Sequence, residues 1–194
     1  MPILVCGSLA FDTIMTFEGR FAEQILPSQL HILNVSFLVP GLRREYGGCA
    51  GNIAYNLKLL GGEPVIMATV GGDATPYLDR LKNLQIDTSH IRTLDGAFTA
   101  QAMITTDLSN NQITAFHPGA MNESNLNQVG DVTAARTQKK SAPVTLGIVA
   151  PDGRAGMWEH CHQLADAQIP FIFDPGQGLP MFDGPELLEL TELA

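Results

Sequence analysis

Short apolar runs closed by glycine or proline set the rhythm of this chain. Ile3–Cys6 ends at Gly7, Val65–Val70 at Gly71-Gly72-Asp73, Val144–Val149 at Ala150-Pro151-Asp152, and Ile169–Phe173 at Asp174-Pro175-Gly176-Gln177. Runs of this length suit strands buried on both faces of a parallel sheet. Segments with helical spacing lie between them. Ile53–Leu60 stops at Gly61-Gly62, a C-terminal signal, and Thr75–Leu84 carries Pro76 in its first turn, where no N–H is needed. Asp152 is placed to cap a helix over Gly153–Gln168, and Pro185–Leu193 reads as a further helix. Asn122–Val132 should begin a helix, with Thr133–Pro143 as loop and Ile86–Arg92 as a short extended piece.

Two stretches break the alternation. In the first, Phe11–Phe17, His31–Val39 and Leu42–Tyr46 all read as extended, with Pro40-Gly41 as a turn. In the second, Phe98–Thr106 and Gln112–Phe116 read as a hairpin around Asp107–Asn111. The predicted fold is α/β: a mostly parallel sheet with flanking helices over residues 1–10, 47–96 and 118–194. Residues 11–46 and 97–117 should form one small β-sheet lid, because neither stretch makes a stable sheet alone. Such a sheet leaves an edge and an apolar face, which invites a homodimer through the lid.

Composition narrows the function classes. With 45% hydrophobic and 16% charged residues in 194, the chain can bury a real core and is not disordered. Its net charge of −9 excludes a general nucleic-acid binder, which needs clustered cations. A small anion could still be held by a few backbone N–H groups. Cys6, Cys49 and Cys161 show neither a disulfide framework nor zinc spacing. With no basic leader and no bilayer-length apolar run, the expectation is a cytoplasmic protein without membrane contact.

In open parallel sheets, ligands bind beyond the carboxyl ends of the strands. Gly47-Gly48-Cys49-Ala50-Gly51-Asn52 opens a helix, so its free N–H groups could face a ligand there. It could equally be only a tight strand-to-helix connection. No Lys-Ser/Thr follows, which excludes a Walker loop, and the charged Leu42–Tyr46 upstream disfavours a Rossmann dinucleotide loop. Asp12, after the first strand, could accept two hydroxyl protons from a sugar diol, or could be a turn residue. His160 and His162, two apart on a helix, point to different faces and do not suit one metal ion.

The elements Gly47-Gly48, Gly51-Asn52, Ala54, Gly61 and Gly71 resemble the first signature of the PfkB, or ribokinase, family of carbohydrate and nucleoside kinases. Gly7-Ser8-Leu9-Ala10-Phe11-Asp12 resembles the family's opening strand and sugar-gripping Asp. The stretches 19–27, Ser36–Val39, Phe116–Met121 and Asp174–Gln177 are most similar to bacterial adenosine kinases of mycobacterial type. The resemblance implies a ribokinase-like fold, with ATP and Mg²⁺ as phosphoryl donor and companion ion. The substrate would be a nucleoside or sugar, foremost adenosine. Ser8, Asp12, Ser36, Gly48 and Asn52 would contact the nucleoside, Phe116 would pack on the base and Gln177 would line the pocket. Ala102 stands where those kinases place an aromatic ring, and Gly178 replaces a second Gln, leaving room for another nucleoside. The family's Gly-Ala-Gly-Asp motif, which supplies anion hole and base, does not occur in residues 1–194. The expectation is therefore an N-terminal portion with no catalytic residue of its own: an inactive part of a kinase, or a non-catalytic nucleoside- or sugar-binding protein.

Overall fold

A computed structural model describes all of Met1–Ala194. The chain begins with β1 (Pro2–Cys6), β2 (Ala10–Thr16), the short α1 (Phe21–Gln24), β3 (Gly41–Gly47) and α2 (Cys49–Leu59). It continues through β4 (Glu63–Gly71), α3 (Thr75–Asn83), β5 (Ile91–Leu94), β6 (Ala100–Thr106) and β7 (Gln112–His117). The last part holds α4 (Val129–Gln138), β8 (Leu146–Val149), α5 (Arg154–Asp166), β9 (Phe171–Phe173) and α6 (Gly184–Leu193). Tight 3-10 turns cover Pro27–Ile32, Gly119–Leu126 and Gly176–Met181.

The larger sheet has the order β5-β4-β1-β8-β9, and every pairing in it is parallel. Its strands alternate side chains between two cores, as the two-residue period of a strand requires. Leu4, Cys6, Val65 and Met67 pack with Val132 of α4, Met157 and Leu164 of α5 and Leu190 of α6. Val5, Ile66, Ala68 and Val70 pack with Ala50 and Ala54 of α2 and with Tyr77 and Leu81 of α3. Each fully buried Val, Leu or Ile among them contributes about 1.5–3 kcal/mol by leaving water. The result is three layers, with the sheet in the middle.

The smaller sheet has the order β3-β2-β6-β7. β2 runs parallel to β6, starting at Ala10 opposite Ala100, and the two outer pairs are antiparallel. Strands from both interrupting stretches therefore share this sheet. Glycines hold it close to the larger one. A Cβ at Gly71 would collide with the backbone of Ala97–Thr99, and one at Gly119 with the Phe98 carbonyl.

Four sequence expectations are corrected. His31–Val39 is not a strand: it leaves the 3-10 turn at Ile32 and runs to Val39 without regular structure. β-Propensity makes a strand only where a partner offers a ladder, and both neighbours of β2 are already β3 and β6. Thr133–Gln138 is helix rather than loop, because Val129 and Val132 bury one side of α4. The extended piece near 86–92 sits later, at Ile91–Leu94. Asp152 does not cap α5; Gly153 is the capping residue, with no side-chain hydrogen bond.

Candidate functional site

The glycine-rich turn is built from three close approaches, each with its own cause. Gly48 has φ of 85°, a left-handed conformation, and lies against the backbone of Ser8–Ala10. A Cβ at Gly47 would fall on the Asp12 carboxylate, and one at Gly51 on the Tyr77 hydroxyl. Ser8, two residues beyond β1, ties this turn to the larger sheet. Its Oγ accepts from the Cys49 N–H at 3.2 Å and its carbonyl from the Ala50 N–H at 3.0 Å. Ser8 thus satisfies two of the orphan donors that open α2. Asn52 sits exposed on the first turn of α2, with its N–H bonded to the Gly48 carbonyl at 3.1 Å.

Asp12 stands in a row across the smaller sheet. It lies opposite Glu45 on one side and Ala102 on the other, and Ala102 lies opposite Phe116. Directly paired residues share a face, so Asp12 and Phe116 project from the same side, separated by two strand spacings of about 4.8 Å each. Phe116 is 53% exposed. Burial pushes the Asp12 carboxyl up from its ordinary value, and the neighbouring Glu45 charge adds to this. The opposite face is closed at this level. There Phe11 packs on Tyr46 and Tyr77, and the Arg44 guanidinium stacks on Phe11 at 3.8 Å.

The ends of the parallel strands converge on the same turn. The Cys49 thiol is pushed up by burial against a lowering hydrogen bond to Ser8, and the charges of Asp174, Asp152 and Asp12 raise it further. Gln177 is exposed on the turn that follows Asp174. Structure thus groups Ser8, Asp12, Gly48 and Asn52 tightly, sets Phe116 on the Asp12 face and puts Gln177 at the same end of the sheet. No hydrogen bond joins Ser36 to them. Its neighbour Phe37 packs on Phe17 and Phe21, at the other end of β2.

Three carboxylates take parts here that the sequence did not assign to them. Glu45 meets Asp12 only through strand register. Asp73 is held by the Thr99 N–H and hydroxyl, both at 2.7 Å, and so clamps the smaller sheet. Asp152 is fully buried: its Oδ1 accepts from the Gly153 N–H, its Oδ2 has no partner, and burial pushes its carboxyl to about 8. Its place just after a strand end was the only sequence signal. No three His, Cys, Asp or Glu side chains lie together as a metal site.

A doubly faced parallel sheet with a small mixed sheet at its carboxyl end defines an α/β fold whose candidate site lies where the two sheets meet, beside Asp12. A model described as the pfkB family carbohydrate kinase matches residues 12–192, and the chain belongs to that family. It is 33% identical over 198 aligned positions to a nucleoside kinase of Methanocaldococcus jannaschii, covering 99% of this chain and 58% of that one. A Burkholderia thailandensis nucleoside kinase solved with inosine is 55% identical, with a TM-score of 0.81 over 99% of this chain and 58% of that chain. The same protein has been solved with ADP-inosine, at a TM-score of 0.77 and 57% identity over 99% and 58%. The solved M. jannaschii nucleoside kinase, at 28% identity, has a TM-score of 0.77 over 100% and 58%. The chain therefore spans little more than half the length of these relatives.

Proposed function

We propose that this chain is the nucleoside-binding part of a kinase that transfers a phosphoryl group from ATP to a nucleoside hydroxyl. Adenosine, giving AMP, is the acceptor we put first; inosine, which the Burkholderia relative binds, is its rival. One observation carries the reading: the row Glu45–Asp12–Ala102–Phe116 beside the Gly47–Asn52 turn. An ionised Asp12 accepts from two ribose hydroxyls, Asn52 and Ser8 complete the polar contacts, and the Phe116 ring stacks on the base. Gly48 lets the backbone come close to the sugar and Gln177 closes the pocket from the larger sheet, whereas Ser36, beside Phe37 at the other end of β2, stays outside it. Ala102, as the small residue between Asp12 and Phe116, leaves the width that a nucleoside needs.

Mg²⁺ belongs to this reading as the companion of ATP, and no step is assigned to a protein-bound metal. Residues 1–194 hold no Gly-Ala-Gly-Asp turn, and losing even one oxyanion donor costs about 10²–10³ in rate. We therefore expect residues 1–194 by themselves to bind nucleoside without transferring phosphate. No helix is long and apolar enough to cross a membrane. Three free cysteines favour the cytoplasm as its compartment.

Calorimetry of the chain with adenosine, inosine and free ribose, beside an ATP-turnover assay, tests this. Saturable binding of a nucleoside over ribose, with no turnover, is the expected outcome. No preference for a nucleoside over ribose sinks the nucleoside reading. Turnover of ATP by this chain sinks the view that it lacks the catalytic groups.

A further inference from the structure

Tyr77 lies on α3, outside every motif that drew attention to the glycine-rich turn, yet its hydroxyl reaches into that turn. It donates to the Gly47 carbonyl at 2.6 Å, and this hydrogen bond is buried. The same oxygen occupies the space that a side chain at residue 51 would need. One hydroxyl therefore spans the turn from its first glycine to its third. The ring that carries it is only 2% exposed and is wedged between Phe11 and Tyr46, at centroid distances of 5.7 and 5.0 Å. Tyr46 is itself covered by the Arg80 guanidinium from the next turn of α3. Burial pushes the phenol well above its ordinary value, so it stays a donor at any working pH.

We propose that Tyr77 is a positioning residue: its hydroxyl sets the shape of the Gly47–Asn52 turn that receives the ligand, acting through the backbone without touching the ligand. The inference rests on the proposed nucleoside site. It also reassigns Gly51. Of the three glycines, Gly47 makes room for Asp12 and Gly48 supplies the left-handed bend. Gly51 is glycine because of a tyrosine on another helix. Without the hydroxyl, the Gly47 carbonyl loses its partner in a buried place, and the turn can relax away from Asp12 and Ser8.

The test compares Tyr77→Phe, which removes one oxygen and keeps the ring, with Leu81→Ala, a cavity in the same helix and core. Hydrogen exchange of the Gly48–Asn52 amides and calorimetric affinity for adenosine and inosine are measured on both. For Tyr77→Phe, exchange in the turn should rise and the affinity should fall about 2–10-fold, the worth of one hydrogen bond. Leu81→Ala should lower the melting temperature at least as much and leave both readouts at the parent value. Adding Gly51→Ala should destabilise the parent more than it destabilises Tyr77→Phe, where the obstructing oxygen is gone. Unchanged exchange in Tyr77→Phe, raised exchange with unchanged affinity, or equal effects from Leu81→Ala would each overturn the proposal. If the parent binds no nucleoside, the proposed function fails on its own, and the positioning role proposed for that ligand falls with it, whatever the exchange result says about the strut.

Discussion

At the scale of single residues, the two unusual carboxylates make opposite predictions about pH. Asp12 must be ionised to accept from two hydroxyls, and burial with Glu45 raises its pKa. Nucleoside binding should therefore strengthen as pH rises through that raised value. Glu45→Gln removes the like charge and should move this limb to lower pH, while Asp12→Ala should cost about 1.5–3 kcal/mol of binding in titration calorimetry. Equal affinity for Asp12→Ala and parent would make Asp12 a turn residue. Asp152 works through stability. Its folded pKa is about 8 against an ordinary 3.8. Its contribution is thus fully present below about pH 4 and is lost as pH rises toward 8. Asp152→Asn keeps the shape without the charge, so it should be more stable than the parent by about 1–3 kcal/mol near pH 8 in urea unfolding. A parallel pH profile for the two proteins would count against a buried, protonated Asp152. The contrast shows what was legible. Asp12 could be singled out because a carboxylate follows an apolar run. Its Glu45 neighbour could not, because register between β2 and β3 is not written in either strand alone, and Asp152 was mistaken for a cap because burial is invisible in a local pattern.

At the scale of elements, the buried strands and amphipathic helices were readable and the exceptions have physical causes. Residues 33–39 carry strand formers, but Phe37 spends its side chain on Phe17 and Phe21 and the segment pairs with no strand. Phe37→Ala should release this segment, seen as faster proteolysis or exchange confined to residues 26–40 with the larger sheet unaffected. Helix α4 hid behind polar residues. It is anchored by Arg136, 9% exposed, which donates to the Ala142 carbonyl and to Glu63, both at 2.6 Å. Because Glu63 is half in solvent, its ion pair is discounted, and the orphaned carbonyl dominates the loss. Arg136→Ala should destabilise by about 1–3 kcal/mol in urea unfolding; a change within error would show that α4 is held by Val129 and Val132 alone.

At the scale of the whole molecule, the smaller sheet shows an apolar face opposite to Asp12. Met15 lies across from Leu42, Ile113 and Met103 lie on the same side, and Leu42 is 65% exposed. We propose that a second copy covers this face. Sedimentation should show a dimer that Leu42→Glu with Met103→Glu dissociates, and a parent that stays monomeric at all soluble concentrations would refute it. The larger sheet carries a different consequence, one of timing. β1 is made before both of its neighbours, β4 and β8, with Ile3 paired to Leu146. At synthesis rates of about 5–20 residues per second, β8 emerges roughly 7–30 s after β1. Until β8 arrives one edge of a fully apolar strand has no ladder, and the face that carries Leu4 and Cys6 still lacks α5. A newborn chain is therefore most exposed to mispairing and to chaperones before residue 149 appears, and mutations that slow the arrival or docking of β8 should reduce yield in cells more than they reduce the stability of the finished protein.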